Sequence, residues 1–206
     1  NQLSHYPSRP SGMSDELYEL GYSGTSSSNI AMTSWRSSLL KSLMMWMDDS
    51  DSSNIDRLGH RRWILNPTMQ QTGFGYAVSN SGAAYSSVYV FDYDYHNTDV
   101  TGVAWPATEM PKRYFESSSA WSYSYGSSLN GNVNVKLQCL TTGRERTWNF
   151  SSAASDGYFN VDNGGYGQKG CVIFKPDSIS IQAGENYEVT ITQDGTVIAD
   201  YTVHFF

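Results

Sequence analysis

Apolar residues change their spacing part-way along the chain, and that change limits the fold more than any single motif. From about Ser14 to Asn66 the spacing is helical. Ser14 is placed to cap a short helix, with Asp15 and Glu16 in the first turn, where the dipole favours acids, and Gly21 as a stop. Trp35, Leu39, Leu40, Leu43, Met44 and Met47 then outline one apolar face of an amphipathic helix. Its methionines read as gap-filling core rather than a ligand surface.

From Thr72 onward the period is two. Phe74 to Val78 and Ser87 to Phe91 read as strands, separated by the turn signal Asn80-Ser81-Gly82. Val133 to Cys139, Tyr187 to Thr192 and Tyr201 to Phe205 alternate cleanly, and Asp194-Gly195 is a strong hairpin signal. About six or seven such strands in roughly 90 residues fit an immunoglobulin-like sandwich. The segment from Trp105-Pro106 to Ser119 holds two prolines and many polar residues. It predicts a domain over 1–105, a linker over 106–117 and a β-sandwich over 118–206. No internal repeat is evident.

Composition narrows the partners. Thirteen Lys and Arg against 20 Asp and Glu give a net charge of −7, which has no general attraction for phosphate backbones or anionic lipid. Nucleic acid is therefore excluded as an expected partner. No apolar run approaches the roughly 20 residues that span a bilayer; the nearest, Leu39 to Met47, is broken by Lys41 and Ser42. The chain starts at Asn1 rather than Met, and residues upstream of it, a signal peptide included, are expected. Only 16% of residues are charged. Polarity comes instead from Ser, Thr, Asn, Tyr and Gly, as in extracellular proteins rich in strands and turns. Cys139 and Cys171 both fall in strand-like runs. They read either as two buried thiols or as one disulfide across a sandwich.

Four histidines carry the chemistry to be weighed. His96 sits in a polar turn and His204 on the polar phase of the last strand, and both read as solvent-facing. His5 lies in Leu3-Ser4-His5-Tyr6-Pro7, and His60 in Leu58-Gly59-His60-Arg61-Arg62-Trp63-Ile64-Leu65-Asn66-Pro67. Between them lies Ser28-Asn29-Ile30, and beyond them Gly73-Phe74-Gly75-Tyr76-Ala77. The Asp48 to Asn54 run has the flavour of a calcium loop, but it lacks the central Gly and terminal Glu of an EF-hand. Its carboxylates read as helix-junction caps. No Gly-x-Ser-x-Gly elbow, phosphate loop or dinucleotide fingerprint is present.

In that order these segments resemble the CAP superfamily of cysteine-rich secretory, antigen and pathogenesis-related proteins, also called SCP-like extracellular domains, over roughly residues 3 to 95. The resemblance implies an α+β fold: an α-β-α sandwich whose first helix precedes this chain, then the all-β domain. It also implies a bacterial secreted or cell-surface protein. Family members bring two histidines and two acidic residues together in a cleft. By position, His5 and His60 match the histidines, and Asp49 stands in for the second acid, in Trp46-Met47-Asp48-Asp49. Ser28, beside Asn29, replaces the first glutamate. A hydroxyl cannot serve as a carboxylate base.

Two imidazoles, His5 and His60, suit zinc or another divalent metal, although catalytic zinc normally takes three protein ligands. Zinc binding is expected to be weak and adventitious, and no cofactor is required. The favoured reading is an extracellular binding module for a small molecule, lipid, peptide or cell-surface ligand. The alternative is a metal-assisted hydrolase of peptides or cell-wall polymers, with His5, His60 and Asp49 as its catalytic candidates. A third reading, glycan binding through Trp121, Tyr123 and Tyr125, is weaker than an ordinary alternating strand with those aromatics in the core.

Overall fold

The structure, a computed structural model, describes residues 2–34, 36–92, 99–100, 102–153 and 155–206. Trp35 and His96 lie outside the described residues. The chain forms two compact units, Asn1–Met47 with Asn66–Thr98, and Asp48–Leu65 with Asp99–Phe206. Together they make an α+β protein.

The first unit is built on a three-stranded antiparallel sheet. Strands β1 (Ser28–Thr33) and β2 (Phe74–Val78) flank β3 (Ala84–Tyr89), in the order β1-β3-β2. Helix α1 (Asp15–Ser26) starts as its sequence predicts, with the Ser14 side chain accepting from the Leu17 amide. It does not stop at Gly21. Hydroxyls cover the carbonyls of its last turns: Thr25 Oγ1 donates to Tyr22 O, Ser26 Oγ to Ser23 O and Ser28 Oγ to Gly24 O. With those acceptors satisfied, a glycine that merely weakens a helix does not end it. No residue of α1 is buried.

Helix α2 (Leu39–Asp48) packs its Ser42–Trp46 stripe inward. Ser42 Oγ donates to Ser86 Oγ at 3.0 Å, and Trp46 Nε1 to Ile30 O at 3.4 Å. The expected apolar face is thus rotated. Leu40 is exposed, while Leu43, Met44 and Met47 are half-buried. A small Ser at position 42 lets the helix approach the sheet, and the indole four residues on fills the space beside it.

The second unit holds two sheets. One is four-stranded, in the order β4 (Val103–Trp105), β6 (Trp121–Ser124), β10 (Cys171–Pro176), β9 (Gly157–Asp162). The other is five-stranded, in the order β5 (Glu109–Met110), β12 (Thr196–Phe205), β11 (Asn186–Gln193), β7 (Val133–Cys139), β8 (Arg146–Phe150). Pairing is antiparallel except between β5 and β12. One core joins the sheets. Trp121, Val172 and Phe174 from the first meet Leu137, Tyr187, Val189, Ile191 and Phe205 from the second. Trp121 stacks on Phe174 at 5.9 Å and meets Phe205 edge-on.

Strand β10 is buried on both faces. Val172 and Phe174 join the main core, while Cys171 and Ile173 join a second cluster with Ile55, Leu58 and Ala120. A strand buried on both sides needs a layer on each side, and Asp48–Leu65 supplies the second. The expected division at 105 and 118 is therefore crossed twice. Asp48–Leu65 belongs to the second unit, and β4 pairs with β6. Cys139 and Cys171 are both free thiols, both buried, and in different clusters. That decides for buried thiols over a disulfide.

Candidate functional site

The segment after α2 builds the site. Asp49 takes a left-handed conformation at φ 47°, directly past the helix end. A non-glycine residue there is uncommon, and Asp is among those that tolerate it. Leu58 repeats the device at φ 48° and leads into the short helix α3 (Gly59–Ile64), which has no side-chain cap from its own N-cap residue. Asp49 substitutes from a distance in sequence. Its Oδ2 accepts the His60 amide at 2.9 Å and the Arg61 amide at 3.4 Å. Two first-turn donors of α3 are thus satisfied by one carboxylate oxygen.

The other oxygen, Oδ1, lies 2.8 Å from His60 Nδ1. An ionised carboxylate only accepts, so Nδ1 carries the proton and the lone pair of the neutral ring is on Nε2. Asp49 is 3% exposed, whereas the His60 side chain is 34% exposed. A buried carboxylate thus holds a half-exposed imidazole in one tautomer, the arrangement that orients metal-ligating and general-base histidines.

Arg61 and Arg62 anchor the helix. Arg61 is fully buried; its Nη1 donates to Ala120 O and Ser122 Oγ, and its Nη2 to Asp48 O. Burial lowers its pKa to about 10, and the Asp49 carboxylate works against that shift. The group stays a cation at neutral pH. Arg62 donates to Arg57 O, Gly164 O and Gln168 O, pairs with Asp162, and lies 5.3 Å over the Tyr166 ring. Neither arginine has a role that the sequence pattern assigns. The signal for them was an Arg doublet beside an aromatic in a chain poor in charge.

His5 belongs to the first unit and His60 to the second. His5 is exposed; its Nδ1 donates to Thr25 O at 2.9 Å, and Thr25 Oγ1 returns a bond to His5 O. Ser28 is buried with its hydroxyl committed to Gly24 O at 2.7 Å, and buried Asn29 pairs with Val88 across β1 and β3. Among the described residues no group of three His, Cys, Asp or Glu side chains comes together to hold a metal.

Asp51, in the calcium-like run, is engaged locally by Ser53 and Asn54. Trp121 is fully buried, and Tyr123 and Tyr125 pack against the same core, as an alternating strand requires. His204 is half-exposed and 3.0 Å from Glu109.

Among the described residues no helix is long and apolar enough to cross a membrane. Neither the curated proteins nor the solved structures contain a match to this chain. Residues 1–93, the stretch that holds His5, Ser28, Asp49 and His60, match the model of CAP, the cysteine-rich secretory protein family, and through that stretch the chain resembles the CAP superfamily.

Proposed function

We propose that the protein is an extracellular binding module of CAP type, secreted or held at the cell surface, in which His60 is the polar group offered to a ligand and no efficient hydrolysis occurs. The observation that carries this reading is the engagement of Asp49. Its carboxylate already accepts from the His60 amide, the His60 ring and the Arg61 amide, so it orients the imidazole and is not an acid or base for a substrate. Where the family places its other carboxylate stands Ser28, whose hydroxyl is turned to a helix carbonyl. General acid–base catalysis is worth about 10²–10⁴-fold when a suitable group is in place. The C-terminal sheets, of immunoglobulin-like kind in this reading, serve as a scaffold. The ligand classes that suit the module are a small molecule, lipid, peptide or cell-surface polymer.

A second reading has one observation in its favour. The Asp49–His60 bond fixes the lone pair on Nε2, which suits a metal-assisted or general-base hydrolase of peptides or cell-wall polymers. One experiment separates the two. The parent chain and His60→Ala are incubated with mixed peptides and cell-wall fragments, with added zinc. The binding module gives no turnover above background in either. Robust turnover in the parent that disappears in His60→Ala establishes the hydrolase instead.

A further inference from the structure

We propose that Arg61 is a positioning residue for His60, and that strand β6 of the C-terminal unit, through Ser122 and the Ala120 carbonyl, sets the imidazole's orientation. The C-terminal unit is then a working part of the His60 site. It is not a spacer appended to it.

The argument begins with burial along α3. Gly59, Arg61 and Arg62 are buried, and His60 alone among the first four residues keeps substantial exposure. The outward aim of His60 is fixed by what its neighbours bury. A Cβ on Gly59 would lie 3.1 Å from the Tyr166 ring, so the helix also sits close against the Asn163–Gly170 loop.

The Arg61 guanidinium has no solvent exposure, and among the described residues its acceptors come from two places: Asp48 O at the end of α2, and Ala120 O and Ser122 Oγ at the start of β6. Burying a cation is costly, and an apolar side chain of similar volume often stabilises a fold as well or better. A planar fork of donors does something an apolar side chain does not. It fixes direction, because each acceptor must lie on a set line. Here the fork ties the residue next to His60 to both ends of the structure around Asp49. The amides of His60 and Arg61 share one Asp49 oxygen, so a rotation of Arg61 moves both partners of the His60–Asp49 bond. The guanidinium faces inward and is sealed from solvent, so it does not itself meet a ligand.

This inference rests on His60 being the ligand-facing group, and its test reads ring geometry without any ligand. The full chain with ¹⁵N-labelled histidine is examined by NMR, as parent, Arg61→Lys, Arg61→Met, Ser122→Ala and Ser122→Thr. The parent is expected to show His60 in the Nδ1-protonated tautomer, with a slowly exchanging, downfield Nδ1 proton.

Arg61→Lys keeps the charge and loses the fork; Arg61→Met keeps the bulk and loses both. Each should lose the downfield proton and mix the tautomers, with core amides of β11 and β12 unchanged. Ser122→Ala, which removes one acceptor and leaves the cation, should give a partial loss that Ser122→Thr restores. If Arg61 variants fail to fold, the Ser122 pair decides alone. An unchanged His60 spectrum in folded Arg61 variants, or in Ser122→Ala, overturns the proposal. Turnover is read in the separate assay above, so failure of the His60 reading and failure of Arg61 positioning are distinguishable.

Discussion

Asp49 does two jobs with one carboxylate, capping α3 and orienting His60. Asp49→Ala leaves buried amides without an acceptor, and an unsatisfied buried donor costs about 1–3 kcal/mol. Denaturant unfolding should show a loss of that size. Asp49→Asn keeps an oxygen for the amides but offers the ring an NH₂ if that oxygen faces α3. Its stability loss should be smaller, and the His60 proton should move toward Nε2. Asp51 gives a pH test. Hydrogen bonds from Asn54 and then Ser53 hold its carboxyl below the usual carboxylate value. The sign follows from linkage: a depressed pKa means stability that is present above the unfolded-state value and lost as pH falls through the folded one. The carboxyl titration midpoint by NMR should lie below that of a free Asp, and Asn54→Ala should raise it. The thiols offer a third check. Cys139 and Cys171 are buried, and burial pushes the Cys171 thiol up, away from the reactive thiolate. Native labelling of both should be slow and should become fast on unfolding. At this scale the segments around His5, Asp49 and His60 were legible because they occur in a recognisable order. Arg61 was not, since its acceptors Ala120 and Ser122 lie some 60 positions away and charge burial leaves no local pattern.

Among the elements, β10 carries the most consequence. Ile173 packs against Ile55 and Leu58, while Phe174 packs into the core between the sheets. Ile→Ala in a core costs about 2–5 kcal/mol and Phe→Ala about 3–5. The two substitutions should therefore cost similar stability by chemical denaturation. They should differ in what else they disturb. Ile173→Ala should broaden the NMR signals of Ile55, Leu58 and His60, and Phe174→Ala those of Trp121 and Phe150, its ring neighbours. Strands with one face on a core were readable from their period of two: β7 is buried at every second residue. Helix ends and faces were not. The end of α1 depends on hydroxyls from Thr25, Ser26 and Ser28, and the inward face of α2 on a serine–serine contact, and neither is an apolar signal.

Across the molecule, burial is uneven. The second unit holds almost all the large, fully buried side chains, whereas α1 buries none. A helix of 12 residues that buries none of its side chains is marginal on its own. Hydrogen exchange should therefore be fastest in α1 and slowest in β7, β10, β11 and β12, where local opening approaches global unfolding. Equal protection of α1 and β11 would contradict this. The change of period at Thr72 marked where helices give way to strands. It did not mark which unit a segment joins, because Asp48–Leu65 is helical in pattern yet packs under a sheet. That membership bears on how the chain is made. Arg62 emerges about a hundred residues before Gly164 and Gln168, its acceptors. At about 5–20 residues per second a newly made chain carries those charges in water for roughly 5–20 s before they can close. The His60 segment is thus assembled late, after β6 and β10 exist to receive it. A chain interrupted before that point would carry the whole CAP-like stretch and still lack the surface on which its histidine is set.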